Sequence, residues 1–414
     1  MKLKFHLLTI VAILFLFQEG NSQGEQVYLI QAGKIDIVKS QILNESKEIY
    51  VQIPSDYDPN SDRKYPVVYI LDGDVMLPAL INVHEFYFGG FMPEMILVGI
   101  ANKENRTRDL TIPLINTAER MPPNYEHGEA DQFLKFIAEE LIPYVESNYP
   151  VTSFRTLIGH SYGGQFTINA LLKNPALFTN YLAIDPSLDW DDQRMLSMGR
   201  DSLLNQDYTG KSLFVSLSGQ LHMQDPTVTI DNVRGDQSFF TLFSRSILSF
   251  MDMVKEVEEN GLRHEWKFYP RDLHGTVPLP SIMDGMISLF QWYQMEHTDK
   301  INSPETPTDE LVEIINSRSE KLKKNFQYEE VPYPEDLLNV LGYMSMDMEQ
   351  IEKAKMYFEF AIKFYPKSAN AYDSMSDFCM SQNDTENAFK FATKAYELSG
   401  SDYHKEKIES IKKK

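Results

Sequence analysis

The chain has 414 residues, of which 39 are basic and 60 acidic, giving a formal net charge of −21. That excess of carboxylates repels phosphate and excludes a nucleic-acid-binding protein. A hydrophobic share of 43% suits a folded chain with room for two domains, and the single cysteine, Cys379, excludes an intrachain disulfide or a thiolate metal cluster.

In chain order, Lys2 and Lys4 precede the apolar stretch Leu7 to Phe17, with small residues at Gly20 and Ser22. That pattern predicts a secretory signal over residues 1–22 and an exported protein. The apolar run is too short to span a membrane comfortably, so no stable span is expected after cleavage. Within a domain expected over 24–296, short β-rich apolar runs alternate with helical patterns from residue 47 to about 296. The strands expected are 48–53, 65–71, 95–100, 155–158, 180–184, 212–217 and 264–269, with helices over 129–147 and 238–259. Several strands are apolar on both faces, as central strands of a covered parallel sheet are. The alternation predicts a doubly wound, mostly parallel α/β sheet that binds ligands at the carboxyl ends of its strands. Residues 297–308, polar and carrying Pro304 and Pro307, read as a linker. Over 309–414 strand signals vanish. Leu338, Leu341, Gly342, Ala354, Phe358, Ala361 and Pro366 have the spacing of a 34-residue tetratricopeptide unit, repeated more weakly at Tyr372, Met375, Ser376, Ala388, Ala392 and Ala395. A small all-α, tetratricopeptide-like domain is expected there, with a protein partner as its ligand.

The chemistry concentrates at Gly159-His160-Ser161-Tyr162-Gly163-Gly164, between the apolar run Thr156-Leu157-Ile158 and a helical pattern. Strand, G-x-S-x-G, helix is the setting that exposes a nucleophilic serine on a sharp turn. The glycines at 159, 163 and 164 are expected where a Cβ would collide with a neighbouring strand or helix. A serine hydroxyl needs a positioned base. His274, directly after the last strand run, is the candidate, with Gly275 relieving crowding around its ring. The acid is expected after the 212–218 strand, where Asp225, Asp231 and Asp236 lie; Asp236 reads as an N-cap for a helix starting at Ser238, and Asp225, nearest the strand end, is the choice. A dyad without an acid stays open. An oxyanion hole is expected from the backbone N–H of Tyr162 and that of Asp74, with Gly73 second.

Leu71-Asp72-Gly73, the serine motif, Asp185-Pro186-Ser187-Leu188-Asp189-Trp190 and His274-Gly275 together resemble the Putative esterase family, which includes enterochelin esterases and is related to esterase D and the mycolyltransferases. The resemblance spans roughly residues 35 to 296. It implies an α/β-hydrolase fold, serine hydrolysis of carboxylic esters, and no metal or organic cofactor. The family often carries an acid soon after Gly219, where this chain has Gln220-Leu221-His222. For the substrate, Arg106 and Arg108 are candidates to grip an anionic or catecholate group, and Trp190 to form a stacking wall. Two function classes fit: an exported serine esterase acting on siderophore-type or carbohydrate-linked esters, or a non-catalytic hydrolase-like protein whose helical repeats dock a partner.

Overall fold

The computed structural model describes residues 33–54, 57, 63–120, 122, 125–222 and 224–413. The signal sequence expected over 1–22 lies outside them. One eight-stranded sheet organises the first two thirds of the chain. Its strands are β1 (Lys34–Ser40), β2 (Glu45–Gln52), β3 (Tyr65–Leu71), β4 (Ile96–Ile100), β5 (Val151–His160), β6 (Asn180–Ile184), β7 (Ser212–Ser218) and β8 (Arg263–Tyr269), in the spatial order β1-β2-β4-β3-β5-β6-β7-β8. β2 pairs antiparallel with both β1 and β4, and every pairing from β4 to β8 is parallel. This is the doubly wound, mostly parallel sheet of an α/β-hydrolase.

β3, β4, β6 and β7 are buried along their whole length, because helices cover both faces of a parallel sheet. Alternate residues feed two cores. Tyr69, Leu157, Tyr181 and Val215 join one, with Phe133, Phe166 and Phe250 from the helices above. Val68, Ile70, Ile158, Leu182 and Phe214 join the other, beneath the helices Gly73–Tyr87 and Pro278–Leu289. β1 was not anticipated: Lys-Ile-Asp-Ile-Val-Lys-Ser puts Ile35 and Ile37 outward, exposed, on an edge strand.

Beyond the sheet the structure is helical. Residues 297–308, expected as a linker, include a one-turn helix, Thr298–Ile301, whose Ile301 is buried. The helix Thr308–Phe326 spans two bodies. Its Leu311, Ile314 and Ile315 pack with the helices that follow, whereas Leu322 and Phe326 enter the second sheet core. Two helical hairpins come next, Glu335–Asp347 with Ile351–Phe364 and Ala369–Ser381 with Thr385–Ser399. Their helices start 34 residues apart (335 to 369, 351 to 385). Gly342 lets the first pair close, since a Cβ there would stand 2.6 Å from the Phe358 ring. Among the described residues, no helix is long and apolar enough to cross a membrane.

Candidate active site

β5 ends at His160, and the chain turns through Ser161 into the helix Tyr162–Lys173. Ser161 adopts φ 61° and ψ −116°, a conformation costly for a residue with a Cβ. Two of the three glycines are obligatory. A Cβ on Gly159 would lie 2.1 Å from the Gly163 carbonyl oxygen, and one on Gly164 would lie 2.9 Å from Pro186 Cα. At Gly163 the nearest atom would be at an ordinary 3.5 Å, so the expected collision does not occur there. The strained turn lifts Ser161 to the carboxyl edge of the sheet, half exposed.

Two loops meet Ser161 at that edge. The first follows β6. Asp185 is fully buried and takes a positive φ of 41°. Its Oδ2 lies 2.7 Å from His274 Nδ1, and its Oδ1 accepts the Ser218 N–H at 2.8 Å. The Asp185 N–H donates to Ser216 Oγ at 3.1 Å. This carboxylate therefore fixes the tautomer of His274, with Nδ1 donating and Nε2 left to exchange a proton. Two residues on, Ser187 Oγ stands 3.2 Å from Ser161 Oγ, and the Ser187 N–H donates to the Ser161 carbonyl. The second loop follows β8 and carries His274, whose side chain is 34% exposed against 0% for its carboxylate partner. The His274 N–H donates to Gln220 Oε1 at 3.2 Å, so Gln220 supports the loop through its amide. His160 Nε2 meets the His274 carbonyl oxygen at 2.9 Å, with the two rings 4.6 Å apart. Burial, then the neighbouring His274, holds the His160 ring down at about 4, so it donates to that carbonyl as a neutral imidazole.

Several expectations are corrected. Asp225 does not reach His274. It lies in an exposed turn after β7, where its carboxylate accepts the Thr227 N–H and hydroxyl at 2.9 and 2.6 Å, and its own N–H donates to His222 Nδ1. The carboxylate on His274 comes one strand earlier, as Asp185. The signal was present in Ile184-Asp185-Pro186: an acid directly ending a fully buried strand needs a charged or hydrogen-bonding partner. Asp236 is not the cap of a helix starting at Ser238: that helix begins at Leu242, with Thr241 at its cap position, and the Asp236 carboxylate instead accepts the Ser238 N–H at 2.6 Å and the Thr241 hydroxyl at 3.0 Å in the turn before it. Nothing lies within 4 Å of a Cβ built on Gly275, so that glycine relieves no crowding.

Arg106 and Arg108 are occupied. Arg106 grips Asp72 with Nε at 2.8 Å and an Nη at 2.9 Å, and the same Nη donates to the His160 carbonyl at 3.1 Å. Arg108 pairs with Glu45 at 2.9 Å and Asp109 at 2.7 Å. Asp109 in turn holds the buried Lys47 at 2.6 Å. These pairs anchor the short helix Arg106–Leu110, which delivers Arg106 to the two turns that matter. Trp190 is not an open wall: it is buried just before a kink at Asp191, Asp192 and Gln193, donates Nε1 to the Ile112 carbonyl at 2.9 Å, and lies edge-on to Tyr162 with ring centroids 5.2 Å apart.

Backbone amides line the same edge. Asp72, in the left-handed region at φ 51°, caps the helix Gly73–Tyr87, and its carbonyl accepts from Val75 and Met76. The amides of Gly73 and Asp74 thus fall in a first turn that offers them no intrahelical acceptor, as does that of Tyr162 in its own helix. A Cβ on Gly73 would meet Gly99 backbone at 2.5 Å, so glycine alone lets this turn settle on β4. Among the described residues, no group of three or more His, Cys, Asp or Glu side chains is placed to hold a metal ion.

Residues 40–238 match the family model described as Putative esterase. The chain is 29% identical over 188 residues to the ferri-bacillibactin esterase BesA of Bacillus subtilis (strain 168), an alignment covering 41% of this chain and 64% of that protein. The chain thus spans under two thirds of that relative's length. Among solved structures, an IroE-like serine hydrolase from Shewanella oneidensis superimposes with a TM-score of 0.63 at 26% identity, covering 80% of this chain and 99% of its own. An uncharacterised protein from Capnocytophaga ochracea DSM 7271 shares the fold over 92% of this chain and 99% of its own, with a TM-score of 0.59 at 18% identity. That likeness includes helices beyond the sheet.

Proposed function

We propose that this chain, which belongs to the Putative esterase family through residues 40–238, is a serine carboxylic-ester hydrolase. The observation that carries the reading is the buried Asp185 carboxylate on His274 Nδ1 at 2.7 Å, at the sheet edge where the strained turn presents Ser161. Ser161 Oγ gives its proton to His274 Nε2 and attacks the ester carbonyl carbon. The developing oxyanion is held by the Tyr162 and Asp74 amides. His274 then protonates the departing alcohol, and water, deprotonated by His274, hydrolyses the acyl-enzyme to release the acid and restore Ser161. Ser161 Oγ lies 3.2 Å from Ser187 Oγ. Rotation of Ser161 about χ1 exchanges that partner for His274 Nε2 as the proton is transferred.

The substrate reading, siderophore-type or carbohydrate-linked esters, is supported by the likeness to BesA and to the IroE-like hydrolase. The pattern at residues 1–22 supports a site of action outside the cytoplasm. The two hairpins 34 residues apart support a tetratricopeptide-like region that docks a protein partner. Hydrolysis of short p-nitrophenyl esters tests the chemistry. Ser161→Ala is expected to fall to the rate of buffer alone. Unchanged hydrolysis by that variant sinks the mechanism and favours a non-catalytic, partner-binding protein.

A further inference from the structure

His274 serves the leaving alcohol, so whatever flanks its ring also flanks that alcohol. The group that protonates the departing oxygen must lie within hydrogen-bond reach of it, and the alcohol half of the ester then extends past the imidazole. What it meets there is aromatic. The Phe243 ring, half-buried against the sheet's core, stands edge-on to the His274 ring, with centroids 5.3 Å apart at 89°. Phe239 and Phe240 lie in the short turn Phe239–Thr241 that leads directly into the helix Leu242–Glu256, one turn ahead of Phe243. The Phe240 ring meets the ring of His222 at 5.2 Å, two residues beyond Gln220, whose amide oxygen takes the His274 N–H.

These side chains are apolar and open to solvent. Phe239 is 77% exposed, Phe240 51%, and Leu273, the residue before His274, 58%. Large apolar side chains held in water beside a reacting centre are stabilised by a ligand that covers them. The acids of the same segment are engaged in their own turns. Asp225 holds the Thr227 N–H and hydroxyl, and Asp236 holds the Ser238 N–H and the Thr241 hydroxyl. A polyhydroxyl alcohol laid against Phe239, Phe240, Phe243 and Leu273 would give up water without gaining hydrogen bonds from those side chains. An alkyl or aryl alcohol buries apolar surface there instead.

Resting on the ester-hydrolase reading above, we propose that Phe239, Phe240, Phe243 and Leu273 form an apolar ledge that receives the alcohol half of the substrate, so that the preferred esters are those of alkyl or aryl alcohols. A carbohydrate on the leaving-group side is disfavoured.

The test follows acid release by pH-stat from ethyl, butyl and hexyl acetate, and in parallel from ethyl acetate, ethyl butyrate and ethyl hexanoate. In the parent, kcat/KM is expected to rise at least about tenfold from ethyl to hexyl acetate, since a methylene covered on one side contributes roughly twofold. In the double variant Phe239→Ser, Phe240→Ser that rise shrinks to about threefold or less, while the ratio of ethyl hexanoate to ethyl acetate keeps its parent value. Each readout is a ratio within one protein, so a general fall in activity does not imitate it. A flat alcohol series in the parent, an unchanged rise in the variant, or equal losses in the two series overturns the proposal. So does a parent dimer in sedimentation velocity that the double variant breaks, which would make the ledge a self-association face. A parent that hydrolyses none of these esters sinks the hydrolase reading, and n-hexanol binding by isothermal titration then decides the ledge. Binding about tenfold weaker in the double variant keeps it as an apolar site beside His274, and equal binding overturns it.

Discussion

Ser161 and His274 are legible in the sequence because each sits in a local pattern with one physical meaning: a glycine-flanked turn between strand and helix, and a histidine just past a terminal strand. The acid's local signal, a carboxylate directly ending a buried strand, does not say which side chain it meets. Its identity depends on which strand end lies beside the histidine loop, and the order of strands in space is not written in any short segment. Asp225 was the nearest carboxylate after β7, yet its Thr227 partners show it closing its own turn, while Asp185 at the end of β6 reaches the imidazole. Replacing Asp185 with Asn is therefore expected to lower kcat/KM for a p-nitrophenyl ester by roughly 10⁴-fold, because the amide favours the wrong tautomer. Asp225→Asn is expected to stay within about threefold of the parent. Similar losses for both variants, or a loss only at Asp225, would move the acid back to β7.

At the scale of the element, long apolar strands and amphipathic helices were legible, whereas β1 was not, since an edge strand with outward isoleucines lacks the buried run that marks its neighbours. The helix Gly73–Tyr87 illustrates what packing adds. Its first turn settles on β4 at Gly99, and near its end buried His84 accepts the Met95 N–H at Nε2, 3.1 Å away. That acceptor role requires a neutral ring. Burial, against a weaker opposing pull from the Pro93 carbonyl, holds His84 down at about 4. With its folded value depressed below the ordinary one near 6.5, the stability it contributes is complete above pH 6.5 and is lost as pH falls toward 4. Urea unfolding should show His84→Gln, whose amide oxygen can still accept from Met95, losing less stability over that interval by roughly 2–3 kcal/mol. An identical acid slope in parent and variant would show that His84 is not the group titrating.

Across the whole molecule, the sequence divided the chain at 297–308, but the packing divides it differently. Phe326 lies 5.1 Å from Phe154 and 4.9 Å from Trp292 between ring centroids, so the end of the helix Thr308–Phe326 belongs to the sheet's core. Pairwise burial of this kind leaves no signal in composition or linker length. Between the bodies, far from Ser161 at the start of β3 and β5, lies a cavity of about 1170 Å³ lined by Tyr293, Arg318, Tyr328 and Glu330 among others. Burial pushes Glu330 up to about 7, against the opposing pulls of Arg63 and the Val331 amide. A carboxyl whose folded value is raised favours the folded state in its neutral form, so stability falls as pH rises from the ordinary value of 4.5 through about 7. Glu330→Gln should match the parent near pH 4 and exceed it at pH 8 by roughly 2–3 kcal/mol in denaturant unfolding. Parallel pH profiles for the two proteins would contradict that assignment.

The account as a whole stands on one atom, Ser161 Oγ, being the nucleophile. Incubation of the purified protein with a fluorophosphonate, followed by intact-mass measurement and peptide mapping, tests this without any assumption about substrate. The account predicts one adduct per chain, on the peptide containing Ser161, formed slowly in Asp185→Asn and absent in Ser161→Ala. Labelling that persists in Ser161→Ala, or a parent chain that takes no label, would contradict it.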